Sequence, residues 1–267
     1  RQGIGSIVPV AAGLFGTVAG CVLVIAVHRH AMPAPEPVRP MVRVVVDRTA
    51  SDVPLGRGGF TQEDGLGYGL LEQWIGRLGY FTARESGMAA LRGDVLVVIC
   101  PQKSVSDAFR EGVREFVARG GKLLVLDSPD VVGSTANSLL WQFGLGVNHA
   151  ASRAGKLGLR DGWPGIPVQA VCEVVGGEAF MWVEGLPVGT RTSYGKGRVM
   201  ALGFGSLMND NGLGGHWMAE ATPEMLRRSE VLFALVRSLV EDRPVVSPPP
   251  REKTREKPAQ EKPSAAN

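Results

Sequence analysis

Asp94–Asp130 reads DVLVVICPQKSVSDAFREGVREFVARGGKLLVLDSPD, and this stretch decides the fold. Val95–Ile99 and Leu123–Leu126 are short runs without a polar residue. Strands buried on both faces read this way, as they do in a parallel sheet covered by helices. Between them Phe109, Val113, Phe116 and Val117 recur at helical spacing. Ser104 or Ser106 supplies the N-cap of a helix ending at Ala118, and Gly120-Gly121 stops it. Strand, helix and strand follow one another with short links. The two strands therefore run parallel, with a right-handed crossover.

The same alternation extends outward. Val42–Val46 is another apolar run, followed by a Gly-rich polar loop over 47–64. Tyr68–Leu78 has a helical apolar face, Tyr80–Ala83 is a short strand, and Ser134–Phe143 is a helix closed by Gly144. Beyond about Val168 the pattern changes. Glu178–Val183, Val188–Ser193 and Val199–Phe204 are strands separated by Gly-containing turns, as in an antiparallel extension. A last helix, Pro223–Val240, is capped by Thr222 with Pro223 at its first position. The expected fold is α/β: a three-layer α/β/α sandwich over 42–242. Its sheet is expected to be mainly parallel and flavodoxin-like, with an antiparallel β extension.

Ile4–Val27 carries no charged side chain. A hydrocarbon core of about 30 Å takes roughly 20 apolar helical residues, so one transmembrane helix is expected within 1–30. A signal peptide has a shorter apolar core of about 7–15 residues. Residues 31–41, with Pro33, Pro35, Pro37 and Pro40, read as a stiff linker. Residues 243–267 read as a disordered, charged, Pro-rich tail. The expected localisation is membrane, single-pass, with the side of the soluble part left open.

Lys and Arg number 29 against 26 Asp and Glu, for a net charge of +3, and the basic residues form no stripe. This is not the electrostatic footprint of a nucleic-acid binder. Cys21, Cys100 and Cys172 have no CxxC spacing, so no zinc site is indicated, and a Cys100–Cys172 bridge stays open. No metal and no cofactor are expected. The expected partners are a membrane and a membrane protein, and a small-molecule ligand is left open.

Several segments resemble the class I glutamine amidotransferase-like superfamily. Gly120–Leu126 (GGKLLVL) looks like its GGxLLVL strand, and Val95–Pro101 like the strand before it. Tyr194–Val199 (YGKGRV) is similar to a hairpin of its non-catalytic, GldG-type, transporter-associated and membrane-tethered branch. The resemblance covers about Val42–Val240 and implies an α/β/α sandwich serving as a ligand-binding or assembly module. Catalytic members place a Cys on a strained elbow after a sheet strand, with a His-x-Glu pair later. Here Leu126 is followed by Asp127-Ser128-Pro129, and His216 stands four residues from Glu220. Both departures argue against the family's chemistry. The expected function is a membrane-anchored, catalytically silent module of a membrane complex. The alternative is a hydrolase of unknown substrate using polar residues at the sheet's carboxyl edge.

The residues at that edge are the site candidates. Cys100, Asp127, Ser128 and His216 are weak candidates for catalysis, with His149 or His216 as a base for the thiol. Asp47, Asp127, Ser128, Asn209 and Asp210 are candidates for ligand binding. Each has a plainer reading. Cys100 reads first as a small buried hydrophobe and His216 as a solvated loop histidine, while Asp47, Asp127 and Ser128 read equally as caps and loop ties.

Overall fold

The computed structural model describes residues 7–31, 41–56, 65–159, 165–215 and 220–245. The chain divides into two units, Arg1–Met41 and Val42–Asn267.

Among its described residues the first unit contains one helix, α1 (Ile7–Ala31). Thr17 Oγ1 donates to the Gly13 carbonyl at 2.9 Å, the usual back-bond of a helical threonine. The side chains described along it run from Gly13 to Val27 and are exposed. Among the described residues no helix is long and apolar enough to cross a membrane. This corrects the expected transmembrane helix, together with the single-pass localisation and the membrane anchoring derived from it. Most of the linker and of the tail, 32–40 and 246–267, lies outside the described residues.

The second unit is built on one sheet of nine strands: β1 (Arg43–Asp47), β2 (Phe81–Glu85), β3 (Val95–Ile99), β4 (Lys122–Leu126), β5 (Gly146–Leu159), β6 (Ile166–Val175), β7 (Glu178–Val183), β8 (Leu186–Tyr194) and β9 (Gly197–Leu202). Their order is β2-β1-β3-β4-β9-β8-β7-β5-β6. The first five in that order are parallel neighbours, and every pairing from β9 to β6 is antiparallel. The expected mainly parallel, flavodoxin-like sheet is thereby corrected to a mixed one. The physical reason lies in the connections. Among the described residues between β5 and β9 there is no helix, and a link too short for a crossover forces antiparallel pairing. Glu184 and Gly185, both at positive φ (48° and 81°), make the β7–β8 turn, a backbone that suits the twist of a tight hairpin.

Helices cover both faces of the parallel half. On one face α2 (Gly69–Arg77) and α6 (Pro223–Glu241) bury Leu71, Ile75, Val231, Leu232 and Leu235 against Val44, Val46, Val97, Leu124 and Met200. On the other α3 (Asp107–Ala118) and α4 (Ala136–Leu140) set Phe109, Val113, Phe116 and Leu139 against Val45, Leu96, Val98, Leu123 and Val125. Alternate strand residues thus feed two separate cores, which is why these strands have no polar side. Ser106 caps α3 by accepting from Phe109 N at 3.2 Å, and Thr222 caps α6 by accepting from Met225 N at 3.3 Å.

The antiparallel half curls back on itself. Cys172 N, on β6, donates to the Gly203 carbonyl at 2.8 Å, and Gly203 N donates to the Val188 carbonyl at 2.8 Å. The last strand in the order is thereby tied to the end of β9. A side chain at Gly203 has no room, because a Cβ there would lie 2.0 Å from the Cys172 carbonyl oxygen.

Candidate functional site

Parallel strands deliver their carboxyl ends to one edge, and in open α/β sheets that edge is where ligands bind. Here β1, β3, β4 and β9 bring Asp47, Cys100, Asp127 with Ser128, and the 203–206 segment to it.

Asp127 is the centre of this edge. It is fully enclosed. Its amide donates to the Leu202 carbonyl at 2.8 Å, and its carbonyl accepts from Gly205 N at 2.6 Å, which fixes it between β4 and β9. Its Oδ1 accepts from Ser128 N at 2.9 Å and its Oδ2 from Ser134 Oγ at 2.6 Å. His149 of β5 brings Nε2 to 3.0 Å from the same Oδ2, off the line of a hydrogen bond. Ser128 is also enclosed, and its hydroxyl bonds that of Ser206 at 2.8 Å. Burial pushes the Asp127 carboxyl above the usual carboxylate range. The bonds from Ser134 and Ser128 and the nearby His149 oppose that push without cancelling it.

That direction sets a pH dependence. A carboxyl that holds its proton more tightly when folded contributes stability below its unfolded pKa of about 4. The contribution is lost as pH rises through the higher folded value. Urea unfolding of Asp127→Asn and the parent between pH 3.5 and 7 is expected to show the variant gaining relative to the parent as pH rises. Parallel curves would remove burial of this carboxylate as the controlling influence.

Cys100 is buried, and φ there is 44°, a left-handed conformation that side-chain-bearing residues rarely adopt. Its amide continues the sheet ladder by donating to the Leu126 carbonyl at 2.7 Å. Its Sγ lies 3.3 Å from the hydroxyl of Tyr68, the residue before α2. Burial pushes the thiol up to about 12, so at neutral pH it is not a thiolate. His149, a candidate base for this thiol, faces Asp127 instead. Among the described non-glycine residues positive φ occurs at Cys100, Glu184 and Asp242. The backbone at Asp127 therefore does not make the strained turn that presents a nucleophile.

The remaining candidates divide. Asp47 is enclosed and ties down the loop after β1, accepting from Thr49 N at 2.9 Å and Ala50 N at 2.8 Å. Asp210, also enclosed, opens the short helix α5 (Asp210–Leu213) and accepts from Leu70 N at 2.7 Å, so it caps α2 from a distant part of the chain. Asn209 accepts from Gly212 N at 2.7 Å and lines a cleft of about 730 Å³ beside the edge. Asp130, Gln169, Ser206, Asn211 and Arg228 also line it. Arg228 is held by the Gly212 carbonyl at 3.1 Å and by Glu224. His216 lies outside the described residues. Among the described residues no group of three His, Cys, Asp or Glu side chains is placed to hold a metal ion.

Sequence reasoning missed Ser134, Ser206 and Tyr68. Ser134 read only as the first residue of a helix. Tyr68 read only as the start of an apolar helical face.

No family model matches this chain, and no curated protein matches it. Similar solved structures include the mmIFT52 N-terminal domain, at 14% identity and a TM-score of 0.49 over 72% of this chain and 96% of that one. The exo-beta-1,4-mannosidase Op5Man5 from Opitutaceae bacterium strain TAV5 is similar at 12% identity and a TM-score of 0.49, over 74% of this chain and 36% of that one. Cytoplasmic protein STM1381 from Salmonella typhimurium LT2 is similar at 11% identity and a TM-score of 0.49, over 76% of this chain and 99% of that one. Likenesses of this degree assign no activity.

Proposed function

We propose that the unit beginning at Val42 is a catalytically silent, amidotransferase-like binding module whose cleft at the carboxyl edge takes a small polar ligand. The observation that carries this reading is Asp127. It stands where the elbow nucleophile of the resembled family would stand, yet it is enclosed and its carboxylate is bonded by Ser134 and Ser128. The thiol at the same sheet edge, Cys100, is buried, and that burial pushes its pKa up, away from the thiolate. What remains accessible at this edge is a cleft lined by amide, hydroxyl and charged side chains, the composition that orients a polar ligand.

Three measurements test the reading. Iodoacetamide at pH 8 is expected to label the exposed Cys21 and to leave Cys100 and Cys172 unlabelled until the protein is denatured. Incubation with glutamine is expected to release no ammonia; release abolished by Cys100→Ala would overturn the silent reading. A thermal-shift screen of polyols, amides and amino acids is expected to give a saturable shift. Asp130→Ala, which alters an exposed cleft residue, should weaken that binding about tenfold, the scale of one lost hydrogen bond, without moving the melting temperature of the free protein.

A further inference from the structure

A second cavity, of about 580 Å³, lies at the opposite end of the parallel strands. Its walls include Glu178, Arg191, Ser193, Arg198, Asp242 and Arg243. The β8–β9 register sets Ser193 against Arg198 and Arg191 against Met200. Arg191, Ser193 and Arg198 therefore share one sheet face, and the two arginines are diagonal neighbours. Arg191 is closed by Glu178, whose two carboxylate oxygens accept from Nε and Nη2 at 3.0 Å each, so the less compensated cation of the pair is Arg198.

Lys122, the first residue of β4, adds another cation. Its Nζ is bonded to the Val240 carbonyl and lies 3.4 Å from Asp242 Oδ2, while Arg198 Nε lies 3.5 Å from Asp242 Oδ1. Both separations exceed the roughly 2.7–2.9 Å of a tight charge-assisted bond. One carboxylate thus stands between two cations without closing on either.

Exposure is uneven. The side chains of Lys122, Arg191 and Arg198 keep 16%, 22% and 25% of their surface, against 55% for Asp242 and 60% for Glu178. The cations are held by the sheet and the acids stand on the solvent side. With Arg243, which pairs with Glu241 at 3.4 Å, four cations meet three carboxylates here.

We infer that this cavity is an anion site for a phosphate group, free or as a phosphomonoester, and that the Asp242 carboxylate occupies the anion's place when none is bound. A phosphate brings more charge and more acceptor oxygens than the carboxylate it displaces. Of the cavity's walls, Arg198 and the Ser193 hydroxyl can donate to it, and Lys122 stands behind the Asp242 carboxylate it would replace. Asp242 is at φ 55°, just past the end of α6, a conformation that asparagine adopts readily. Asp242→Asn therefore removes the competing charge and leaves the helix end intact.

Isothermal titration of the full chain with inorganic phosphate and with phenyl phosphate at low ionic strength tests this. Saturable binding is expected, tightened about tenfold by Asp242→Asn and weakened at least about tenfold by Arg198→Gln, the scale of one charge-assisted contact. Arg191→Gln serves in place of Arg198→Gln if circular dichroism shows the latter misfolded. A stronger response to the ester supports a phosphorylated small molecule, and an equal response supports free phosphate. No saturable heat in either the parent or Asp242→Asn overturns the assignment. So does binding that neither substitution changes.

Discussion

Gly203→Ala is expected to destabilise the second unit by about 4 kcal/mol or more. A crowded core ordinarily costs about 1–3 kcal/mol, because flexible side chains give way. At Gly203 the new methyl would meet the Cys172 carbonyl oxygen at 2.0 Å, which is backbone and held in the sheet. Relief requires β6 and the end of β9 to part. That breaks the bond from Cys172 N to the Gly203 carbonyl and strains the one from Gly203 N to Val188. Each buried backbone group left without a partner adds about 1–3 kcal/mol. Against a total stability of about 5–15 kcal/mol for a domain, the variant should be near its unfolding threshold at 37 °C. Chemical denaturation reads the loss directly, and a loss below 1 kcal/mol would mean that the two segments do not close on each other in solution.

Asp210→Ala is expected to cost about 3 kcal/mol, although Asp210 belongs to no large element. Tyr68, at the N-cap position of α2, provides no side-chain cap. The Asp210 carboxylate does that work, accepting from Leu70 N at 2.7 Å while its own amide donates to Gly67 at 2.8 Å. A lost cap costs about 0.5–2 kcal/mol. A negative group at a partly buried helix N-terminus adds up to about 2 kcal/mol through the helix dipole. Asp210→Asn keeps the acceptor and loses only the charge, so it should retain at least half of the stability that alanine removes. Equal losses in the two variants would show that charge, not the hydrogen bond, is what matters at this helix end.

Where the sequence was legible, one physical condition explains it. Val95–Ile99 was bounded correctly because a strand enclosed on both faces has no need of polar residues inside it, and Glu178–Val183 because turn glycines flank it. The caps Ser106 and Thr222 were legible because an N-cap is chosen locally. The strand β5 was not. Gly146–Leu159 is rich in Ala, Gly and basic residues, and its register shifts at Asn148/Ser152 and Arg153/Gly155 break any alternation. Its partner β6 begins with Ile166-Pro167, and proline argues against a strand unless the strand is at an edge, which this one is. The charge-free N-terminal stretch read as a membrane span from hydropathy alone, whereas among the described residues no helix is long and apolar enough to cross a membrane.

The site divides in the same way. Asp47, Asp127 and Ser128 could be placed at the carboxyl edge because the topology of β1 and β4 puts them there. What each one does could not be read. Asp47 ties a loop, Asp210 caps a helix, and Asp127 gathers Ser134 and His149, all through partners that only the tertiary fold supplies.

The placement of β9 beside β4 has a bearing on how the protein is made. Lys122–Leu126 finds β3 on one side as soon as it is synthesised, but its other neighbour lies beyond the whole β5–β8 excursion. At about 5–20 residues per second, several seconds separate the two strands as they leave the ribosome. For that interval the newborn chain carries one of its most apolar strands as a bare edge, the kind of surface on which nascent chains stick to one another. A stop codon anywhere between the two strands would make that condition permanent.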